Sequence, residues 1–359
     1  MAAINLPIID VSNPHDPSVG KAMLDAAAKY GFLYVASQST DFSAEDVERA
    51  FGLSKEFFAS PVDEKAACRI TPNNRGWSGM HVETLDPEHQ RTGDFKEGMN
   101  FGEFTGGKAQ QLLPPSLSPH EATLSNFSIL CRKTCDRILT LLALGLQVHP
   151  DFFTTRHDPI HGPSGSILRF LYYPSLTSPA TASYKHDEDV RAGAHSDYGS
   201  ITLLFQRPGQ PGLEILTPEG EWAGVPVEPN QSSQGQEQGQ GKDGRFAFPP
   251  ILVNIGDLLS YWTDGLLKST VHRVVFPLSE QRAENLQDRY SIVYFCHPVN
   301  TTELVPVPSK IVDSHRKERK ESQGDKVGFG GGAGYLVPGK RALTASEHLQ
   351  ARLAATYTY

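Results

Sequence analysis

Three short patterns in this sequence combine residue types that do chemistry together. His195-Ser196-Asp197 sets an imidazole and a carboxylate two positions apart. On a strand, positions two apart project to the same face, so both could reach one ion. His272 sits in the apolar run Val271-His272-Arg273-Val274-Val275, where a histidine needs a partner, and an ion is one. Arg289-Tyr290-Ser291 again places two polar groups on one face. A guanidinium beside a hydroxyl suits bidentate grip on a carboxylate. Two histidines and a carboxylate make a facial triad, which holds one side of an octahedral Fe(II) and leaves positions open for O₂ and substrate-type ligands. The same donors also suit Zn²⁺ with an open position, as in a hydrolase. Taken alone, His-x-Asp reads more simply as a surface turn, and Arg-x-Ser as a solvated arginine. The order along the chain favours the metal site: ligand pair, third ligand, carboxylate clamp.

The scaffold must be globular. The chain has 359 residues, with 38% hydrophobic and 21% charged, a composition unlike that of disordered chains. Lys and Arg number 33 against 41 Asp and Glu, a formal net charge of −8. That balance argues against nucleic acid or an anionic membrane as partner. Apolar runs fall short of bilayer-spanning length. The segment Met1 to Asp10 lacks the basic start and long apolar stretch of a secretory signal. Four cysteines in a chain of this size are not a disulfide framework. A cytoplasmic protein with a small-molecule substrate is the expectation, with oligomeric state left open.

The first third reads as mixed α/β. A helix is expected over 19–30, stopped at Gly31, followed by a buried strand over 32–35. Ser43 and Asp46 resemble a capping box, with Val47, Phe51, Ser54 and Phe58 on one helical face and Pro61 as terminator. A longer helix is expected over about 121–146, carrying Cys131 and Cys135 one turn apart as core thiols. From Ser166 onward seven short apolar runs alternate with turn signals: 167–173, 201–205, 213–216, 251–255, 258–262, 270–276 and 290–295. Such spacing predicts an antiparallel sandwich or barrel. The Gln- and Gly-rich stretch 229–244 reads as a disordered insertion. A C-terminal helix is expected from the Thr344/Glu347 capping box, with Leu349 and Leu353 on one face.

Taken together, these patterns resemble the Fe(II)/2-oxoglutarate-dependent dioxygenases of the isopenicillin N synthase-like group, over nearly the whole chain. The resemblance rests on Leu6-Pro7-Ile8-Ile9-Asp10, Gly31-Phe32-Leu33-Tyr34-Val35, Phe57-Phe58 before Pro61, Arg75-Gly76-Trp77 and Lys96-Glu97 ahead of Phe101-Gly102. Later it rests on Tyr172-Tyr173-Pro174, His195 to Leu204, Val253-Asn254-Ile255-Gly256-Asp257, His272-Arg273-Val274 and Arg289-Tyr290-Ser291. Leu171 departs from the pattern, since plant relatives usually have Asn before the paired tyrosines.

The resemblance implies an α+β fold with a mainly β core, a distorted double-stranded β-helix (jelly roll) with flanking α-helices. It implies an N-terminal mixed region over 1–115 and a catalytic core over 116–359. His195, Asp197 and His272 would be the iron ligands and catalytic centre. Arg289, Ser291 and Tyr173 would bind the cosubstrate 2-oxoglutarate. O₂ would be consumed, ascorbate would stimulate, and succinate and CO₂ would be released as a small organic molecule, often of secondary metabolism, is hydroxylated or desaturated. An oxidase that does not consume 2-oxoglutarate is the alternative, with a zinc hydrolase or a catalytically silent jelly-roll binding module as remoter readings. Trp77, Phe101, Tyr184, Phe205 and Phe295 are candidate substrate contacts. His186 with Asp187-Glu188-Asp189 reads as a solvated acidic loop or a lid.

Overall fold

Helix α1 (Pro17–Lys29) starts where Asp16 accepts a hydrogen bond from the Ser18 amide, with proline in the first turn. It ends before Gly31, whose φ of 66° needs a residue without a Cβ. The chain then enters β2 (Phe32–Val35), which pairs in parallel with β1 (Ile8–Ile9). Helix α2 (Ala44–Ala59) carries the complete Ser43/Asp46 capping box, a feature that contributes about 1 kcal/mol. Short α3 (Val62–Ala66) leads to β3 (Gly76–Ser78), β4 (Glu97–Phe101) and the small β5 (Phe104–Thr105) and β6 (Lys108–Ala109) pair. Helix α4 (Glu121–Gly145) buries Cys131 and Cys135, and burial pushes both thiols well above their ordinary range. They are core groups, as expected.

Short α5 (Thr154–His157) is followed by β7 (Ile167–Tyr173), β8 (Ala192–His195), β9 (Ile201–Gln206), β10 (Leu213–Leu216), β11 (Trp222–Gly224), β12 (Ile251–Ile255), β13 (His272–Val274) and β14 (Arg289–Cys296). Between β12 and β13 runs helix α6 (Asp257–Trp262), and α7 (Lys310–Glu321) and α8 (Ala345–Thr356) follow β14. The computed structural model describes residues 3–186, 188–229, 248–277, 287–321 and 341–356. The insertion expected at 229–244 lies outside the described residues from residue 230 onward.

Six of the seven expected strands form. The exception is 258–262, which is helix α6. Every residue of that helix is buried, so its apolar run shows neither strand nor helix periodicity, and length and pattern cannot separate the two.

The described strands form two main sheets. The larger runs β1-β2-β12-β9-β14-β7-β4-β3, and the smaller β11-β10-β13-β8. Strands from the first hundred residues thus extend the same sheet as the later ones. One core lies between the outer face of the large sheet and helices α1, α2 and α4, with Phe51, Phe127, Leu203 and Ile292 among its members. A second lies between the two sheets and includes Phe32, Leu171, Leu213 and Val293. This is the jelly-roll arrangement expected.

Three further buried histidines give the fold a pH dependence. Burial depresses His157 and His348 to about 4 and His297 to about 3. The His157 ring is fixed in place by the Phe153 carbonyl on Nδ1 and the Ser200 hydroxyl on Nε2, and burial keeps it neutral. A depressed histidine binds its proton in the unfolded chain first, so stability is intact above the unfolded value near 6.5 and falls below it. Each group contributes about 1.4 kcal/mol per pH unit. The melting temperature is therefore expected to hold from about pH 8 to about pH 6.5 and to drop steeply toward about pH 5. A flat profile down to about pH 4 would show that these rings are not neutral and buried.

Candidate metal centre and its cavity

Strand pairing brings the three metal-type residues together. His195 ends β8, and its Cα partner on β13 is His272. The two rings lie 4.3 Å apart between centroids. Asp197 follows two residues on, and its Oδ1 is 3.8 Å from His195 Nε2 and 3.7 Å from His272 Nε2. One donor atom from each residue falls within 4.8 Å of the others, so the three could hold a metal ion.

The atoms turned away from this point are already engaged. His195 Nδ1 donates to the Gly193 carbonyl at 2.7 Å, and His272 Nδ1 to the Thr270 carbonyl at 3.1 Å. Carbonyls only accept, so Nδ1 carries the proton on both rings and Nε2 offers its lone pair. Asp197 Oδ2 accepts from Thr202 Oγ1 at 2.7 Å and Asn254 Nδ2 at 2.8 Å, which leaves Oδ1 to the metal point. Burial, then the neighbouring His272, depresses His195 to about 3. Burial alone would raise Asp197, but His272, His195 and the two donors hold it below the ordinary carboxylate range. His195 and Asp197 are thus in ligand form at neutral pH.

The loop behind them is clasped by α6. The Asp257 amide donates to the Asp197 carbonyl at 2.7 Å, and the Leu258 amide to the Gly199 carbonyl at 3.1 Å. A Cβ at Gly256 would stand 2.2 Å from the Gly199 oxygen, so only glycine permits that approach. Asn254→Ala should leave the fold intact but weaken metal binding about 10- to 100-fold, because Asp197 loses a fixed orientation. Unchanged metal affinity by anaerobic titration would show that Thr202 orients the carboxylate alone.

The metal point opens into a cavity of about 1040 Å³, its mouth included. Strand parity decides what lines it. Along β14, Arg289, Ser291, Val293 and Phe295 face the cavity, while Ile292, Tyr294 and Cys296 face the helices. Along β7, Ile167, Arg169, Leu171 and Tyr173 face inward. Arg289 is directly opposite Tyr173 in the ladder. Its guanidinium lies 4.9 Å from the Tyr173 ring and reaches Ser291 Oγ at 3.5 Å and Gln206 Oε1 at 3.4 Å, both long for hydrogen bonds. Arg289 is 2% exposed, so this is a buried cation facing a cavity.

Of the five aromatic candidates, Phe295 lines the cavity and the other four lie elsewhere. Phe101 packs on Phe170 in the helix-side core, and Phe205 on Phe42 and Phe127. Both project from the outer face of their strands. Trp77 donates from Nε1 to Glu97 at 2.8 Å, beside the Lys65–Glu97 ion pair, on the outer side of β4. Tyr184 packs between Phe95 and Phe276. In the acidic loop His186 and Glu188 are exposed, Asp189 is buried against Arg91 at 2.6 Å, and Asp187 lies outside the described residues. The described part forms no wall of the cavity.

Lys96 and Glu97 are neighbours on an extended segment and so take opposite faces. Glu97 turns out to Lys65 and Trp77, while Lys96 turns into the cavity, as does Arg169. Lys96 pairs with Asp94 and, at 3.1 Å, with Glu83; Glu83 also pairs with Arg169. Burial would raise Glu83, but Arg169 and Lys96 pull it down to about 2. Residue spacing gave no sign of this quartet, because its members are spread over 83–169. Tyr198, His297, Leu349 and Leu353 also line the cavity. The apolar face of α8 was legible, but not what it faces.

Comparison with known proteins agrees with this geometry. Residues 6–121 match the family described as non-haem dioxygenase in morphine synthesis, N-terminal, and residues 230–298 match the 2OG-Fe(II) oxygenase superfamily. A UPF0676 protein of Schizosaccharomyces pombe is 34% identical over 313 residues, 86% of either chain. A 2-oxoglutarate-dependent dioxygenase of Aspergillus rugulosus is 28% identical over 354 residues, 93% of this chain and 92% of the relative. The crystal structure of a full-length Neurospora crassa protein in complex with alpha-KG and thymine superposes with a TM-score of 0.72 at 27% identity, covering 99% of this chain and 100% of the other. None of the described helices is long and apolar enough to cross a membrane. With sequence, topology and a convergent His-Asp-His group in agreement, the chain belongs to the Fe(II)/2-oxoglutarate-dependent dioxygenases and is an oxidoreductase using Fe(II), 2-oxoglutarate and O₂.

Proposed function

We propose that His195, Asp197 and His272 hold Fe(II), that Arg289, Ser291 and Tyr173 hold the far carboxylate of 2-oxoglutarate, and that the chain hydroxylates a small organic molecule. The observation that carries this is the convergence of two imidazole nitrogens and one carboxylate oxygen on a point whose other atoms are already hydrogen-bonded. Two neutral nitrogens and one anionic oxygen fit Fe(II), which takes mixed nitrogen and oxygen donors and retains open positions.

When bound, iron and cosubstrate supply the O₂-dependent oxidation, with succinate and CO₂ as by-products. The protein's own share is placement. Gly193 and Thr270 carbonyls fix both histidine tautomers. Arg289 stays charged although buried, which a lysine there would not reliably do. Its fork, with the Ser291 hydroxyl, matches a carboxylate from the side away from Asp197. The buried walls exclude water from the reacting C–H bond.

The test is succinate release. Purified protein with Fe(II), ascorbate and 2-oxoglutarate is expected to release succinate slowly without substrate and faster with one, and to lose the activity when Zn²⁺ replaces Fe(II). Substrate turnover with no succinate would move the reading to an oxidase that does not consume the cosubstrate.

A further inference from the structure

We infer that the substrate of this dioxygenase is an uncharged small molecule whose apolar part packs against helix α8, with Leu349 and Leu353 setting the size it can have. The inference rests on the site reading above and adds the substrate class to it.

Arg289 and Phe295 stand six residues apart on one face of β14, about 20 Å along the strand. Phe295 pairs with Thr202, the residue that holds Asp197, so the metal point is level with the Phe295 end. The cosubstrate clamp occupies the other end. Beyond Phe295 the cavity is bounded by Tyr198, His297, Leu349 and Leu353.

Asp197 and Arg289 offset each other, and the two positive charges of Fe(II) offset the two carboxylates of 2-oxoglutarate. Lys96 and Arg169 reach the cavity, but Asp94 and Glu83 compensate them, all four being buried. Arg352, on the same helix as the leucines, is paired with Asp257 at 2.8 Å. Among the described residues that reach the cavity, then, each charge has its counter-charge before substrate enters. A charged substrate would be desolvated with no ion to meet it, which costs several kcal/mol.

Helix α8 is also held in place as a wall. Its first turn carries the Thr344/Glu347 capping box, and its start is joined to 300–304 by the Leu304 amide on the Leu343 carbonyl and the Ala345 amide on the Thr302 carbonyl. Further along, Arg352 pins it to Asp257, which also accepts from Ser196, the residue between the two ligands of β8 and its loop. The leucines therefore stand at a fixed distance from the metal point.

The experiment uses one molecular frame in three charge states: para-ethylphenol, para-hydroxyphenylacetate and tyramine. Each is titrated anaerobically into the Fe(II)·2-oxoglutarate protein, and binding is read from the shift of the visible charge-transfer band. The neutral probe is expected to bind at least about tenfold tighter than either ion, a difference of about 1.4 kcal/mol. Leu353→Ala should favour longer para-alkyl chains. Glu83→Gln, which leaves one cation uncompensated, should bring para-hydroxyphenylacetate binding level with or above the neutral probe. Should Glu83→Gln not fold, Leu349→Arg, at the half-buried part of the α8 wall, should do the same. Equal or tighter binding of an ion by the parent protein, or no binding of the neutral probe, overturns the inference. A parent protein that never develops the band would instead overturn the site reading on which it rests.

Discussion

His195→Ala and Asp197→Ala proteins are expected to bind Fe(II) more than about 100-fold less tightly than the parent and to release no measurable succinate. The size of the effect follows from how each ligand is held. Removing the His195 ring takes away one of three donors and leaves Asp197 and His272 unable to cover one octahedral face. Removing the Asp197 carboxylate deletes the one anionic donor of the three. It also strands Thr202 Oγ1 and Asn254 Nδ2, which now donate to Asp197 Oδ2. Asp197→Asn is the sharper variant, since it keeps the shape and loses the charge. Anaerobic calorimetric titration measures the loss, with circular dichroism to confirm folding. Parent-like iron affinity in a folded variant would remove this triad as the metal site.

Arg289→Ala is expected to raise the KM for 2-oxoglutarate about 10²- to 10³-fold while Fe(II) affinity stays within about twofold of the parent. Breaking a buried charge pair costs about 3–5 kcal/mol. The pairing with the cosubstrate carboxylate is made on binding, so its loss is read in the KM. Arg289→Lys should lie between the two, because it restores a charge without the planar fork. Ser291→Ala removes one donor and should cost about tenfold or less. An unchanged KM in Arg289→Ala would mean that the cosubstrate acid is held elsewhere, with Lys96 and Arg169 the other cavity cations to examine.

The site was legible in the sequence where two residues on one strand carried it. His195 and Asp197 share a local pattern, and so do Arg289 and Ser291. Their meeting with His272 depends on the β8–β13 ladder, which no local pattern states. The aromatic candidates show the limit. Phe295 has the parity of Arg289 on the same strand and so faces the cavity. Phe205 can be assigned only once its Ile292 partner is known. Trp77 and Phe101 lie on β3 and β4, whose sequences, rich in glycine and asparagine, give little strand signal. Those strands form because β7 and its neighbours supply an edge to pair with. That Lys96 and Arg169 face the cavity is not legible in the sequence for a related reason. Their acidic partners are not set by any local spacing, and Gly98 leaves the room for Arg169, a Cβ there standing 2.7 Å from the guanidinium.

The order of strands in the large sheet has a consequence for how the molecule comes to exist. Strand β14 lies between β9 and β7, with four strands on one flank and three on the other. The chain writes both flanks first and the strand that joins them last. Until residues near 296 have left the ribosome, the nascent chain carries two half-sheets with bare inner edges, each a template for mispairing. The strand that locks them together also bears the arginine for the cosubstrate, so saturating 2-oxoglutarate should slow unzipping of the whole barrel and not merely of its mouth.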